Sequence, residues 1–269
     1  MDGGHRDERG LACGGGHAST GWGEWVMRKR LLLAVVPLTT AFTLGFGGAA
    51  SAQEEDPCAT PPPGAIVGTD GNDVLRGTNG PDVIVAMGGH DVIFALGGDD
   101  LICGGLGNDV INAGAGNDMV AADDLGFFGD PNAPGGSDIV FAGDGNDEIL
   151  AGPGNDKVFG GPGDDFIPAA QGNDIVDAGP GMDLVIGGFG KDILNGGRGA
   201  DSVFGGQDSD LLLGGSGDDL LVGDIPNMMS DTGLPPTVDP SVHRDTCVGG
   251  TGTDTSVLCE VNVGVESIT

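Results

Sequence analysis

The sequence predicts an all-β fold: a parallel β-roll (β-helix-like solenoid) of nonapeptide repeats, with two short-stranded parallel sheets. Three observations over residues 138–219 predict it. An aspartate recurs at every ninth position, an aliphatic residue follows each aspartate by two positions, and a glycine precedes nearly every aspartate by two positions. A strict period is typical of a solenoid, in which each repeat packs only on its neighbours.

The composition is unusual for an ordinary globular domain. The chain has 269 residues, of which 56 are glycine and none is tyrosine, and its formal net charge at pH 7 is −31. The charged residues alternate regularly with aliphatic ones, which a disordered acidic segment does not require. Because phosphates would be repelled and no basic patch is present, we expect no nucleic acid partner and favour a cation.

The N-terminal region predicts a secretory signal peptide. Residues 1–26 have no period and are interpreted as an upstream extension outside the fold. Residues 27–52 combine a basic start, an apolar run and the small-residue ending Ala50-Ser51-Ala52. We therefore expect the protein to start at Met27, to be cleaved after Ala52 and to be secreted to the extracellular space. A membrane anchor is the alternative interpretation of this run, and no membrane span is expected in the mature chain.

The remaining chain divides into three segments. Residues 53–65 form a proline-rich linker. Residues 66–223 hold the repeats, interrupted by a loop insert at residues 122–132. Residues 224–269 are predicted to form a loop and a disulfide-closed C-terminal cap. A loop insert is tolerated in a solenoid because it leaves the stacked register intact.

Each repeat is expected to form one tight turn and one short strand. The residue five positions before each aspartate is Gly or Ala, and the residue two positions before is Gly in fifteen of sixteen repeats, with Asp208 as the exception. Glycine suits a turn that needs a positive φ. The three residues after each aspartate favour a strand whose middle residue faces inward. Two repeats would then complete one coil, with a sheet on each side.

The stacked turns would place the aspartates in rows along the two edges of the coil, about 4.8 Å apart. Such carboxylates repel one another unless a cation lies between them. Ca²⁺ accepts about six to eight oxygen ligands, whereas Mg²⁺ requires a small octahedron and retains its waters. The rows therefore predict Ca²⁺ between successive turns, held by carboxylates and by turn carbonyls.

Two segments show the motif most clearly. Residues 160–167 read Gly-Gly-Pro-Gly-Asp-Asp-Phe-Ile, and residues 214–221 read Gly-Gly-Ser-Gly-Asp-Asp-Leu-Leu. This pattern resembles the RTX, or hemolysin-type, calcium-binding repeat. The resemblance covers residues 66–223, and the sequence looks like a short, secreted, repeat-only member of that family.

The resemblance implies a β-roll that folds as it binds Ca²⁺ between its turns. Sixteen stacked turns have room for up to about fourteen ions. The implied ligands are the sixteen repeat aspartates, namely Asp73, Asp82, Asp91, Asp100, Asp109, Asp118, Asp138, Asp147, Asp156, Asp165, Asp174, Asp183, Asp192, Asp201, Asp210 and Asp219.

Some repeats depart from the family pattern. The second position of the first four repeats is Thr69, Thr78, Met87 and Leu96, where the family has glycine. We therefore expect weaker or distorted sites near the N-terminus. Lys191 also places a positive charge beside a predicted site.

Four cysteines remain if the chain starts at Met27: Cys58, Cys103, Cys247 and Cys259. An even number in an exported chain favours disulfides. Of the three possible pairings we favour Cys58–Cys103, which would pin the linker to the first coils, and Cys247–Cys259, which would close the cap. A zinc site is the alternative, although the spacings are unsuitable.

The sequence predicts a calcium-binding protein and not an enzyme. It contains neither a His-Glu-x-x-His zinc motif nor a Gly-x-Ser-x-Gly elbow. Adjacent carboxylates such as Asp99 and Asp100 could imitate an acid–base pair, but their periodic recurrence favours metal ligation. The alternatives are a calcium-rigidified adhesive or structural surface module, and a non-catalytic remnant of a secreted RTX enzyme.

The positions predicted to face outward are often apolar. Val74 and Ile175 directly follow an aspartate, and Phe94, Phe141 and Phe159 lie two positions further along. The β-propensity of these residues on an ordinary surface is one explanation. The other is an outer face used for self-association or for binding a surface partner.

Overall fold

The computed structural model of the protein describes residues 57–123, 135–224, 245–257, 259, 261–263 and 267–268. In these residues the regular secondary structure consists of strands alone, and the strands form two parallel sheets. The predicted all-β, parallel β-roll is therefore confirmed. The predicted extension and signal peptide, residues 1–52, lie outside the described residues. Within the described ranges, no helix has the length and apolar character needed to cross a bilayer.

Successive strands alternate between two sheets, which we call sheet A and sheet B. Sheet A contains β1 (Ile66–Val67), β3 (Val83–Val85), β5 (Leu101–Cys103), β7 (Met119–Ala121), β9 (Glu148–Leu150), β10 (Gly152–Pro153), β12 (Phe166–Gln171), β14 (Leu184–Phe189), β16 (Ser202–Gln207), β18 (Leu220–Asp224), β20 (Thr255–Val257) and β22 (Ser267–Ile268). Sheet B contains β2 (Val74–Arg76), β4 (Val92–Phe94), β6 (Val110–Ala115), β8 (Ile139–Asp144), β11 (Lys157–Phe159), β13 (Ile175–Pro180), β15 (Ile193–Arg198), β17 (Leu211–Ser216), β19 (Thr246–Thr251) and β21 (Val261–Val263).

Each strand pairs with the strand one coil away in its own sheet. In sheet A, Val185 pairs with Val203, and Val203 pairs with Leu221. Backbone positions that meet across coils are 18 residues apart in the uninterrupted regions. The spacing rises to 29 residues across the first insert and to 35 across a second insert, residues 225–244, without a change of register. The coil is therefore defined by its hydrogen bonds, and inserts leave them intact.

The core is a narrow column of aliphatic side chains between the two sheets. From Asp82 onward, the residue two positions after each repeat aspartate is buried, as at Ile84, Val140 and Leu194. Alanine at the first turn position, as at Ala178, packs beside this column. Each buried Val, Ile or Leu contributes roughly 1.5–3 kcal/mol. The sheets are thus held together by one aliphatic side chain per repeat.

Many strands are longer than predicted. The strands β12 to β17 each span 6 residues, because the second and third turn positions also pair across coils. Gly179 pairs with Gly197, and Pro180 pairs with Arg198. The turn between β13 and β14 is therefore only residues 181–183, and the predicted six-residue turn is too long there.

Two predicted segment boundaries differ from the structure. Ala122 belongs to the core, and its backbone N–H donates to the carbonyl of Leu150, so the first insert begins after Asp123. The solenoid also continues beyond residue 223, where a loop and cap were predicted. Strands β19 to β22 extend both sheets, with Cys247 and Ser256 in the buried position that aliphatic residues fill elsewhere. The backbone of this coil pairs as in the other coils although its core residues are not aliphatic. The sequence pattern, which relies on aliphatic residues, therefore did not reveal it.

From Met87 onward the second turn position adopts a positive φ, as the fourth does in most repeats. The φ of Gly188 is 112° and that of Gly197 is 107°. Met87, Leu96 and Ala170 hold the same position with φ of 79°, 84° and 82°. A side chain in this left-handed region costs about 1–2 kcal/mol. The sequence interpretation recognised this requirement only at the fourth position, where Asp208 has a φ of 77°.

We predict that Ala170→Gly stabilises the protein by about 1 kcal/mol, because glycine relieves the strain of the positive φ. The neighbouring Ala169, which is buried and has no positive φ, supplies the control. Ala169→Gly should destabilise the protein by about 1 kcal/mol. Denaturant unfolding at saturating Ca²⁺ measures both changes, and two changes of the same sign would contradict this account of the second position.

Candidate metal centre

The repeat aspartates form two rows, one along each edge of the solenoid. Edge 1 consists of the turns from sheet A to sheet B, and edge 2 of the turns from sheet B to sheet A. The row on edge 1 is Asp73, Asp91, Asp109, Asp138, Asp156, Asp174, Asp192, Asp210 and Asp245. The row on edge 2 is Asp82, Asp100, Asp118, Asp147, Asp165, Asp183, Asp201, Asp219 and Asp254.

The structure thus brings together all sixteen predicted aspartates and adds two. Asp254 follows a Gly-x-Gly-x turn that the sequence shows, whereas Asp245 was missed. A signal for Asp245 was available, because Cys247 follows it by two positions and Gly249 and Gly250 come next. Cysteine was not counted among the core-forming residues.

From Asp91 onward, one oxygen of each row carboxylate links adjacent coils. The backbone N–H of Asp165 donates to Oδ1 of Asp183 at 2.8 Å, and the N–H of Asp183 donates to Oδ1 of Asp201 at 3.0 Å. The same bond recurs along both rows. Each carboxylate therefore reaches back to the coil before it, and the bond fixes its orientation.

The other oxygen is buried without a hydrogen-bond partner. The repeat aspartates from Asp91 onward are only 0–3% exposed. In the described residues, Oδ2 accepts no hydrogen bond in Asp91, Asp100, Asp109, Asp118, Asp138, Asp147, Asp156, Asp165, Asp174, Asp183, Asp192, Asp201, Asp219 and Asp254. An unsatisfied buried carboxylate oxygen is costly. Its regular recurrence points to a cation as the missing partner.

Backbone carbonyls lie close to both carboxylate oxygens. A methyl group built on Gly160 would lie 2.5 Å from the carbonyl oxygen of Ala178 and would collide with Oδ2 of Asp165. A methyl group built on Gly172 would overlap the carbonyl oxygen of Gly154 and lie 3.0 Å from Oδ1 of Asp174. These close approaches explain why small residues occupy the first and fourth turn positions. They also supply the hard oxygen donors that Ca²⁺ prefers.

Side chains alone do not complete a metal site. Within the ranges that the structure covers, no three Asp, Glu, His or Cys side chains converge on one point. A cation in the rows would therefore be held by carboxylates from adjacent coils together with turn carbonyls. The donor set fits Ca²⁺, which takes several carbonyl oxygens, better than Zn²⁺, which prefers nitrogen and sulfur.

Burial raises the pKa of the row aspartates from Asp91 to Asp201 and of Asp219. It raises the pKa of Asp165 to about 8; the backbone N–H of Asp147 lowers it, and the carboxylates of Asp147 and Asp183 raise it further. Burial likewise raises the pKa of Asp174 and of Asp138 to about 8, and that of Asp156 to about 6. Near neutral pH, protons therefore bind to part of these carboxylates and compete with a metal ion for the same oxygens.

A second ladder lies beside each aspartate row. The fifth-position side chain accepts a hydrogen bond from the backbone N–H one coil later, as between Asn155 Oδ1 and the N–H of Asn173 at 2.7 Å. His90 takes part through Nδ1, which accepts from the N–H of Asn108 at 2.8 Å. The ladder uses only the backbone of Lys191, whose side chain is exposed. Asn, Asp, Ser and His at position five are therefore structural, a role that the sequence interpretation missed.

The first coil satisfies its carboxylates in a different way. Asp73 and Asp82 are only half-buried. Oδ2 of Asp73 accepts the backbone N–H of Thr69 at 2.7 Å and its hydroxyl at 2.8 Å. Oδ2 of Asp82 accepts the N–H of Thr78 at 2.6 Å. The two threonines, which depart from the family pattern, thus bind the aspartates that have no coil before them.

Asp123 is a further buried carboxylate on edge 1, at the start of the first insert. It is 4% exposed, and its Oδ1 accepts the backbone N–H of Gly136 at 3.0 Å. Burial raises its pKa to about 8, and the carboxylates of Asp138 and Asp156 raise it further. The sequence interpretation placed this residue in the insert loop, because it stands where other repeats have glycine.

Two disulfides tie the ends of the solenoid. Cys58 bonds to Cys103 with an S–S distance of 2.00 Å, and Cys247 bonds to Cys259. The first attaches residues 57–65 to sheet A, and the second joins β19 to the residues after β20. These are the pairings favoured from the sequence.

The comparison with known families agrees with this geometry. The profile of the RTX calcium-binding nonapeptide repeat (four copies) matches residues 67–102, 97–124, 135–167, 169–203 and 186–221. The chain belongs to this family. RTX repeats imply calcium binding, and RTX repeats together with disulfides are typical of extracellular proteins. No curated protein matches the chain.

The raised pKa values predict how stability depends on pH without metal. A carboxyl group whose pKa is higher in the folded state stabilises that state below its unfolded pKa, about 3.9, and loses this effect as pH rises through the folded value. For Asp156 and Asp165 the folded values are about 6 and about 8. The folded RTX solenoid in chelator should therefore be more populated near pH 4.5 than near pH 8, as measured by the β-structure content in circular dichroism. Stability that increases over this range would contradict the expected burial of the rows.

Proposed function

We propose that the protein is a secreted calcium-binding protein that folds into its RTX solenoid when several Ca²⁺ ions bind between stacked turns. The observation that carries this proposal is the repeated Oδ2 atom, buried without a hydrogen-bond partner beside backbone carbonyls. One bound ion per pair of adjacent turns would neutralise two rows of carboxylates in a chain with a net charge of −31.

Metal binding and folding are expected to be one event. Without metal, the rows bury unneutralised carboxylates, and a single aliphatic residue per repeat has to offset that cost. Ca²⁺ stabilises only the folded state, because the carbonyl donors of neighbouring coils come together only in the solenoid. The added Asp245 and Asp254 lengthen each row by one turn, which raises the capacity to about sixteen ions.

We propose that the protein has no catalytic activity. Its periodic carboxylates belong to the two rows of proposed metal ligands, and the sequence contains no zinc-protease or hydrolase-elbow motif. A structural surface module is the second candidate, favoured by the exposed apolar residues of sheet B such as Phe141 and Ile193.

Circular dichroism of the full chain, titrated with Ca²⁺ and separately with Mg²⁺, tests the proposal. We expect a cooperative transition from coil to β-structure with Ca²⁺ and none with Mg²⁺ at the same concentration, since the carbonyl-rich sites suit the larger ion. A β-rich spectrum in chelator that Ca²⁺ leaves unchanged would refute calcium-coupled folding.

A matched pair of variants tests the row itself. Asp174→Asn should raise the Ca²⁺ midpoint and lower the stoichiometry, and it should stabilise the metal-free fold by about 1–3 kcal/mol because it removes a buried charge. Asp177→Asn, three residues away on the outer face of sheet B, also removes one negative charge, but from an exposed side chain. This control should leave the midpoint and the stoichiometry unchanged. Equal effects of the two variants would place the ions elsewhere.

Export is tested by expressing the full chain with its N-terminus intact and analysing the medium. We expect an extracellular product whose first residue is Gln53 and whose four cysteines, from Cys58 to Cys259, are oxidised. Intact mass before and after reduction, together with N-terminal sequencing, measures both properties. Retention of the product in the membrane fraction, with residues 27–52 still attached, would support the anchor alternative.

A further inference from the structure

The outer face of sheet B carries a continuous apolar surface. We use this name for the outward side chains in the first and third positions after the edge 1 aspartates. Six large apolar residues of this face stay well exposed: Val74 (74%), Phe94 (40%), Phe141 (41%), Phe159 (37%), Ile175 (40%) and Ile193 (43%). They lie on six of the first seven strands of sheet B, namely β2, β4, β8, β11, β13 and β15, so the surface runs along most of the sheet.

Sheet A differs over the corresponding coils. Its outward residues Val85, Cys103, Met119 and Leu150 are 3–6% exposed. The outward residues of sheet A are therefore buried in the coils where the disulfide from Cys58 attaches, whereas those of sheet B stay open. Apolar residues chosen only for β-propensity would be expected to be equally exposed on both faces.

The exposed residues are ordered before any partner binds. Phe141 pairs with Phe159 across β8 and β11, and their rings stack with centroids 4.9 Å apart and planes 7° from parallel. Ile175 pairs with Ile193 in the next two strands. Parallel pairing fixes these side chains at a regular spacing, so binding would require little further loss of side-chain freedom.

The outer face of sheet B lacks the strong negative charge of the rest of the molecule. In the first and third positions after the edge 1 aspartates, the charged side chains of β2 to β19 are Arg76, Lys157 and Asp177, a net charge of +1 in a chain of net charge −31. Both edges, in contrast, carry rows of aspartates. A second copy approaching through any acidic surface would be repelled, whereas two sheet B faces can meet without that penalty.

The face is also complementary to itself. Lys157 lies in the column that directly follows the aspartates, and Asp177 lies in the other column, one strand along. When two faces pack about a two-fold axis parallel to the solenoid axis, strand direction reverses between the copies and coil order is kept. The column of Lys157 then faces the column of Asp177 of the second copy, displaced by one strand, or about 4.8 Å. Two symmetric ion pairs result.

The size of the face is sufficient for a stable dimer. Sheet B has ten strands. With a strand spacing of about 4.8 Å, six strands about 20 Å long and four strands about 10 Å long offer about 770 Å² per copy, close to the ~800 Å² that each partner buries in an interface of standard size.

We propose that the folded protein forms a two-fold dimer through the outer faces of sheet B. The stacked Phe141 and Phe159 lie near the middle of this interface, flanked by the Lys157–Asp177 pairs. The interface requires the folded solenoid and therefore forms only under conditions in which the solenoid is assembled.

Sedimentation velocity of the full chain at saturating Ca²⁺, from about 1 µM to about 100 µM, tests this proposal. We expect the wild-type protein to shift from monomer to dimer as its concentration rises. The double substitution Phe141→Ser with Phe159→Ser should abolish the dimer over this range while the circular dichroism spectrum stays that of the wild type. A wild-type chain that is folded by circular dichroism and monomeric throughout overturns the proposal, whatever the result of the calcium titration.

A matched pair on the other sheet is the control. Ile186 and Phe204 pair across β14 and β16, outward and partly exposed in the same column of sheet A. Ile186→Ser with Phe204→Ser should leave the dimer unchanged. Loss of the dimer in this control and not in the sheet B variant would place the interface on sheet A and overturn the proposal.

Charge reversal tests the two-fold arrangement. Lys157→Asp should raise the dimer dissociation constant by about tenfold or more, because each dimer loses two ion pairs and gains two repulsions. Asp177→Lys should do the same, and the protein with both substitutions should regain the dissociation constant of the wild type. A double variant as weak as the single variants would contradict this packing.

Discussion

The structure depends on placing a carboxylate where it can neither be solvated nor be neutralised by a neighbouring base. Each aspartate of the two rows lies at the start of a strand, and its backbone carbonyl already accepts the first N–H of the strand one coil later, as for Asp165 and Leu184. In Asp165 the Oδ1 atom extends to the coil before and accepts its N–H. Its Oδ2 has no hydrogen-bond partner and lies near the carbonyl oxygen of Ala178, which can accept but not donate a hydrogen bond. A cation satisfies both groups at once, which links the fold to its ligand.

Other features of the repeat follow from this arrangement. Residues at the first turn position must be small because the carboxylate and a neighbouring carbonyl occupy the space beside them, as at Gly160. The fourth position approaches the coil before it closely, so that a methyl group on Gly172 would overlap the carbonyl oxygen of Gly154. The core is thin, so the free energy that an ordinary domain takes from apolar burial has to come partly from the metal. The fifth-position ladder, which reaches forward while the aspartates reach back, binds each turn to both of its neighbours.

The ends and the outer faces show how the same coil is adapted. Thr69 and Thr78 bind the carboxylates of the first coil, where no earlier coil can do so. At the other end, Cys247 and Ser256 occupy core positions while the aspartate rows continue. Both inserts leave the solenoid on edge 1, between a sheet A strand and a sheet B strand. The disulfide from Cys58 attaches to sheet A, and sheet B is left with its apolar residues exposed.

The nine-residue period by itself determined the solenoid, the alternation of the two sheets, the inward aliphatic residues and the sixteen row aspartates. It could do so because each of these is a local pattern repeated at constant spacing. Only the tertiary structure decided the features that depend on contacts between coils: the positive φ of Ala170, the role of His90 in the outer ladder, the burial of Asp123 and the last coil at Asp245. It also decided which outer face remains open. Such contacts join residues 13 or more positions apart, and no single repeat contains the information that specifies them.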